Sequence, residues 1–210
     1  MADRLLFPTL LHHVALSDGA LLAELEASVW MVEDGDRAGH AWSEGEGYPG
    51  YTSYASLDDL PVRAPAFAAL VERLDQEAAA FAAALGWDLS GQSLALENMW
   101  INILAPGGMH SGHIHPGNVI SGTIYVAMPE GAGGLKLEDP RLPLMMAAPQ
   151  LAEGADERLR RFVYIDPEPG DILMWESWLR HEVMAHQGED PRVSISFNYG
   201  LAAGVRDLHP

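Results

Sequence analysis

Hydrophobic positions along this chain change their period once, close to Gly86. Before it, Leu21, Leu22, Leu25 and Val29 recur at helical spacing behind Ser17-Asp18-Gly19, which offers a helix start. Phe67, Leu70, Val71, Leu74, Ala78, Phe81 and Leu85 form an i, i+3, i+4 stripe that predicts a second helix over about 64–85, ended by Gly86. Residues 4–16 open on an apolar run and read as extended. Residues 33–54 are rich in Gly, Asp, Glu and aromatics without a clear period, and a loop is expected there. After Gly86, short alternating segments parted by Gly and Pro predict strands over 93–104, 112–116, 119–128, 134–138, 161–166, 171–176, 181–186 and 191–199. Residues 140–160 hold three prolines and Met145-Met146, and predict a loop or lid with one helical turn. The pattern is mainly β with N-terminal helices, and it fits a jelly-roll barrel braced by helices on one side. No linker is visible, so one domain is expected over 1–210, with 1–90 as helical support and 91–200 as barrel core.

Composition narrows the chemistry. The chain has 210 residues, 48% hydrophobic and 20% charged, which predicts a packed core. No apolar run approaches the ~20 residues of a membrane span. Met1-Ala2-Asp3-Arg4 lacks the pattern of a signal peptide, so a cytoplasmic protein without membrane association is expected. There are no cysteines, so any metal must be held by His, Asp or Glu. A net charge of −18 disfavours nucleic acids and anionic membranes as partners.

His113-Ile114-His115 puts two imidazoles at i and i+2, on one face of a predicted strand. The pair gains weight from a second segment. Pro167-Glu168-Pro169-Gly170-Asp171 reads as a turn, Ile172-Leu173-Met174-Trp175 as an apolar strand, and His181 follows a short connection. Eleven residues on stands Arg192-Val193-Ser194. In that last strand Arg192, Ser194, Ser196 and Asn198 share one face, and Val193, Ile195, Phe197 and Tyr199 share the other. One Arg among small hydrogen-bonding residues suits a polar cavity that binds a carboxylate bidentately. Asn98, Trp100 and Asn102 on one strand, and Ser121, Thr123 and Tyr125 on another, are expected to line the same interior.

These residues resemble the iron(II)- and 2-oxoglutarate-dependent oxygenase superfamily, and within it the prolyl-hydroxylase-like branch of bacteria and phages. The resemblance runs from Leu6-Phe7-Pro8-Thr9 through Trp100-Ile101-Asn102-Ile103, His113-Ile114-His115-Pro116, Ile120-Ser121-Gly122-Thr123-Ile124-Tyr125-Val126 and Glu138-Asp139-Pro140-Arg141. It continues in Gly170-Asp171-Ile172-Leu173-Met174-Trp175, Ser177-Trp178-Leu179-Arg180-His181 and Arg192-Val193-Ser194-Ile195-Ser196-Phe197-Asn198. It implies a double-stranded β-helix with Fe(II) at its open end, 2-oxoglutarate as co-substrate, O2 as oxidant, and a small-molecule or peptide substrate. His113 and His181 match metal ligands, and Arg192 matches the partner of the 2-oxoglutarate C5 carboxylate, with Ser194, Tyr125, Asn102 and Asn198 as further cofactor-binding candidates. Position 115 departs from the pattern, since Asp is usual there and this chain has His115 as the third ligand. Exposed edges of such a barrel admit pairing into a homodimer.

Other readings stay open. A three-histidine, cupin-like metalloenzyme without 2-oxoglutarate would use Arg192 for a substrate acid, and a non-catalytic metal-binding barrel shares the same fold. His110, Glu138, Asp139 or Glu182 are alternative completions of the metal site. His12, His13, His186 and His209 read as structural or exposed. His40, Tyr48, Tyr51 and Tyr54 lie in a segment that reads equally as a loop closing over a substrate and as a surface loop with aromatic anchors, His40 reads first as structural, and Trp175 and Trp178, which bracket the approach to His181, read first as core packing.

Overall fold

A computed structural model describes residues 3–203 of the chain. The N-terminal half holds β1 (Leu11–Ala15), α1 (Gly19–Gly35), α2 (Arg37–Glu46), β2 (Gly50–Thr52), α3 (Leu60–Arg63) and α4 (Pro65–Ala84). The remainder is β3 (Gln92–Leu104), β4 (His110–His113), β5 (Ile120–Ala127), β6 (Leu135–Glu138), β7 (Phe162–Ile165), β8 (Asp171–Glu176), β9 (His181–Val183) and β10 (Arg192–Ala203). No described helix is long and apolar enough to cross a membrane.

Helix α1 starts where Asp18 accepts hydrogen bonds from the amides of Ala20 and Leu21, two of the orphan donors of a first turn. Helix α4 starts on Pro65, whose missing N–H costs nothing there. Their apolar stripes (Leu25, Val29 and Val32; Phe67, Leu70, Leu74, Ala78 and Phe81) are buried in one cluster with Ile101, Ile124, Ile172 and Ile195. The helices therefore cover the outer face of one sheet.

The strands form two antiparallel sheets, ordered β1-β8-β5-β10-β3-β2 and β4-β9-β6-β7. Tyr125, Leu173 and Trp175 of the larger sheet pack against Leu135, Leu137 and Leu179 of the smaller sheet and its connections, which makes a second, smaller core between the sheets. This is the jelly-roll arrangement braced by helices. Register fixes what the interior sees. On β10, Ser194 faces Asn102 of β3 and Tyr125 of β5, while Ser196 faces Trp100 and Thr123. The alternate residues Val193, Ile195, Phe197 and Tyr199 turn to the helices and are fully buried.

Two glycines are needed for this packing. Gly170, at φ 93, occupies the left-handed region in the turn before β8, and its amide donates to the Tyr125 carbonyl at 2.7 Å. At Gly122 a Cβ would lie 2.5 Å from Phe197 Cζ and 2.6 Å from the Leu173 carbonyl, so the strand carries no side chain there.

The stretch 33–54 is not the expected loop. It contains the end of α1, the whole of α2, and β2. Helix α2 buries only Gly39 and Ser43, so it lacks the large apolar stripe by which a helix announces itself. Strand β4 stops at His113, which leaves His115 in irregular chain rather than on a strand face. Strand β9 ends at Val183, short of the expected 186, and β10 runs on to Ala203. The long connection 140–160 carries two 3-10 turns, Leu142–Leu144 and Glu157–Leu159, instead of one helical turn. His209 lies outside the described residues.

Candidate metal centre and anion pocket

His113 ends β4, and its partner across the ladder is His181, the first residue of β9. His115 is brought to the same place by a different route, because its amide donates to the Ser177 carbonyl at 3.0 Å in the connection before β9. The ligand nitrogens of His113, His115 and His181 all lie within 4.8 Å of one another. The Nε2 atoms of His115 and His181 are 3.3 Å apart. Ligands on one face of a metal held at about 2.1 Å stand roughly 3.0–3.4 Å from each other, so this spacing is that of a chelating pair.

Backbone carbonyls set the tautomers. His113 Nδ1 lies 2.8 Å from the Ser111 carbonyl, and His181 Nδ1 lies 2.9 Å from the Leu179 carbonyl. A carbonyl only accepts, so each Nδ1 carries the proton and each Nε2 keeps a lone pair for a metal. Burial, reinforced by the neighbouring imidazoles, holds His115 down to about 4 and His181 down to about 3. Both are neutral, ligand-competent rings at neutral pH.

His110 stands apart from this cluster. Its Nε2 is 2.8 Å from the Tyr48 hydroxyl, whose oxygen also lies 3.2 Å from Asn102 Oδ1. Whichever partner carries the shared proton, the bond to the phenol engages His110 Nε2 and takes that nitrogen away from metal binding. Burial first, then the Arg192 and His113 charges, hold it down to about 4. The bond chain continues along the wall: Thr52 Oγ1 donates to Asn102 Oδ1, Asn102 Nδ2 to Ser196 Oγ, and Ser196 Oγ meets Thr123 Oγ1.

Arg192 is 1% exposed and pairs with no carboxylate among the described residues. Its Nε donates to the Gly133 carbonyl at 3.1 Å, its Nη1 to Ser194 Oγ at 3.2 Å, and the guanidinium sits 5.2 Å from the Tyr125 ring centroid. Burial pulls the guanidinium below its ordinary value and pushes the Tyr125 phenol up to about 12. An unpaired buried cation is costly, so the position is suited to an anion that arrives from solution.

The histidine cluster and Arg192 line one pocket of about 280 Å³. Its wall includes Tyr48, Thr52, Asn102, Thr123, Tyr125, Ser194 and Ser196, with Leu135, Val183 and Trp175 as the apolar part and Trp42, Tyr54 and Trp100 as an aromatic side. It contains no Asp, Glu or Lys, although the chain has 30 acidic residues. The acids considered as replacement ligands are all turned to other partners: Glu138 to Arg180, Asp139 to Arg141, Glu182 to Lys136. Asn198 lies outside the lining, bonded to Ser121 and Asn98. His12 pairs with Glu77, His13 with Asp171 and His40 with Glu33, while His186 is held by the Asp190 carbonyl. Tyr51 is bonded to Asp36, and Trp178 is exposed outside this pocket. Trp42 and Thr52 were not visible from sequence. Trp42 sits on α2, whose helical character the pattern hides, and Thr52 carries no sign beyond a small polar side chain.

Residues 98–198 match the family model described as "Putative 2OG-Fe(II) oxygenase". No curated protein matches the chain. Among solved structures, the chain is similar to a Pseudomonas putida prolyl-4-hydroxylase, with 17% identity, a TM-score of 0.58, and coverage of 91% of this chain and 88% of that one. It is also similar to the non-heme alpha ketoglutarate dependent epimerase SnoN from nogalamycin biosynthesis, with 16% identity, a TM-score of 0.62, and coverage of 96% and 81%. A third likeness is to HygX from Streptomyces hygroscopicus with nickel and 2-oxoglutarate bound, with 15% identity, a TM-score of 0.59, and coverage of 92% and 83%. At these identities the likeness establishes a shared fold.

Proposed function

We propose that this chain, whose residues 98–198 match the 2OG-Fe(II) oxygenase family model, is an iron- and 2-oxoglutarate-dependent oxygenase that hydroxylates a C–H bond of a peptide, protein side chain or amino acid. The observation that carries the reading is a buried guanidinium without a counter-ion in the same pocket as three convergent imidazoles. One end of that pocket asks for a cation and the other for a carboxylate. 2-Oxoglutarate supplies a carboxylate for Arg192 and a keto acid that chelates a metal.

The residues present fit both groups. Three imidazole nitrogens suit iron, and they would leave coordination positions for a bidentate ligand and O2. Bound together, iron and 2-oxoglutarate supply the oxidising chemistry: O2 is consumed, 2-oxoglutarate becomes succinate and CO2, and one oxygen atom enters the substrate C–H bond. In this assignment His113, His115 and His181 hold the metal. Arg192 and Ser194 grip the distal carboxylate, with the Tyr125 ring beside the guanidinium. The bond chain from His110 through Tyr48 and Asn102 to Ser196 fixes the polar wall, so that donors need not reorganise on binding. Leu135, Val183 and Trp175 exclude water from the inner end, and Trp42, Tyr54 and Trp100 offer an aromatic face to the substrate.

The test is anaerobic reconstitution with Fe(II) and 2-oxoglutarate, followed by the visible charge-transfer band of the chelate, then by succinate release on admission of O2. A band and succinate support the reading, and their absence in metal-loaded protein removes it. A second reading is favoured by the missing carboxylate ligand: a three-histidine dioxygenase that holds a substrate acid on Arg192 and ignores 2-oxoglutarate. Metal binding without any 2-oxoglutarate chelate selects it.

A further inference from the structure

A second hollow, of about 340 Å³, shares no residue with the pocket of the histidines. It lies where both sheets come to an end. β1 is the last strand of the larger sheet and β7 the last of the smaller one. Leu11, Val163 and Ile165 of those two strands line the hollow, together with Leu137 and Leu179. An edge strand presents a row of unpaired backbone groups, and proteins commonly guard such edges with charge or proline. β7 reads Phe162-Val163-Tyr164-Ile165 and carries neither.

The rim is apolar and open to solvent. Leu5, Leu6, Phe7 and Leu159 all line the hollow and are all exposed. Phe7 is 84% exposed, and at φ 58 it is the one non-glycine residue at positive φ among the described residues. That backbone region is unfavourable for a bulky side chain, and the ring gains almost no burial within its own chain in return. A projecting ring beside an apolar hollow puts a knob and a hole on one surface. A twofold contact between identical chains needs a surface of that self-complementary kind.

Charge selects the occupant. Arg4, Arg160 and Glu157 line the hollow without an ion-pair partner among the described residues. A partner of one sign would leave the other sign unmatched. A second copy brings both signs, and a twofold can set each Glu157 against a guanidinium of the other chain. Elsewhere, two chains of net charge −18 repel each other. Here the lining holds four of the 12 Lys and Arg (Arg4, Arg141, Arg158 and Arg160) and only three of the 30 acidic residues, so this is a face on which two copies can meet.

We infer that the chain pairs with a second copy of itself across the open side of the sandwich, the Phe7 ring of each copy seated in the hollow of the other. The inference is independent of the chemistry assigned to the metal centre.

The experiment is sedimentation equilibrium of the full chain over a range of concentrations, with amide hydrogen exchange compared above and below the midpoint of association. A monomer–dimer equilibrium is expected, with protection gained on dimerisation in residues 4–11 and 157–165. Phe7→Asp should weaken dimerisation at least about 30-fold, the loss of an aromatic anchor from each side. Trp178→Asp, at an exposed ring on a different hollow, should leave it unchanged. A chain that stays monomeric throughout overturns the inference and leaves the hollow to a different occupant. A dimer whose protection falls elsewhere and which survives Phe7→Asp overturns it as well, since the copies then meet on another face. Growth beyond the dimer overturns the twofold. The exchange data on the wild-type chain decide the question even if the Asp variant fails to fold.

Discussion

His115 and His181 meet Nε2 to Nε2 at 3.3 Å, with rings only 21° from parallel, across 66 positions of sequence. Two neutral imidazoles gain little from presenting lone pairs to each other. The arrangement makes chemical sense with a cation between the nitrogens and His113 as the third donor. His181→Ala should therefore lower Fe(II) affinity by at least about 100-fold, since even residues that only orient ligands are worth 10–100-fold. Anaerobic titration against a competing chelator measures it. A loss below threefold would show that the imidazoles do not share a metal.

Position 115 allows a second test of the same centre. No carboxylate lines the pocket, so the ligand shell carries no negative charge. His115→Asp places one next to the cation, and at short range such a charge contributes more than about 1.4 kcal/mol even after screening. Fe(II) binding should tighten by about tenfold or more in the same chelator competition. Weaker binding by the Asp variant would mean that the backbone at 115 is placed for the longer imidazole alone.

Acid should destabilise the metal-free protein in a defined window. The folded-state values of His110 and His115 are near 4 and that of His181 near 3, below the unfolded value of about 6.5. The folded state binds fewer protons, so the contribution to stability is fully present above about pH 6.5 and is lost as pH falls toward 4. The slope is on the order of 1 kcal/mol per pH unit for each histidine. Asp36 and Glu77, whose carboxyls are held below their ordinary values, act only at lower pH. Urea melts of metal-free protein between pH 7 and 5 should show stability falling, with a shallower slope in His181→Ala. A flat profile would place these rings in solvent.

The alternation of β10 made much of this site legible from sequence, because Arg192, Ser194 and Ser196 share a face and strand register forces them together with Asn102 and Tyr125. Asn198 shares that face too, but it stands six residues along the strand, roughly 20 Å from Arg192 at 3.3 Å per residue. Sequence periodicity gives the face and not the depth. His115 joins the cluster through a turn, where no period applies. Tyr48 follows α2, a helix that packs through Gly39 and Ser43 and leaves no apolar stripe to read.

Tyr48 should contribute to stability through its hydroxyl. Tyr48→Phe leaves His110 Nε2 and Asn102 Oδ1 each short of one partner in a half-buried network. The cost should be about 1–3 kcal/mol in urea unfolding. Tyr54→Phe, at a ring that is 61% exposed, serves as control and should fall within about 0.5 kcal/mol of wild type. Equal effects of the two changes would remove the network from the wall.

Arg192→Met separates the cost of the buried cation from its use. In ligand-free protein the guanidinium is buried without a carboxylate, and desolvating such a charge costs several kcal/mol. Its removal strands the Gly133 carbonyl, which lessens the gain by about 1–3 kcal/mol. The balance favours Met, so the ligand-free variant should melt a few degrees above wild type, at roughly 2–4 °C per kcal/mol for a chain of this size. Saturating 2-oxoglutarate should reverse the order. Wild type gains RT ln(1 + [L]/Kd) from a ligand paired with Arg192, and the variant loses most of that gain. Scanning calorimetry with and without 2-oxoglutarate on metal-loaded protein reads both effects. An Arg192→Met variant that melts lower without ligand, and shifts as far as wild type with it, would make the guanidinium a structural group and leave the anion without its anchor.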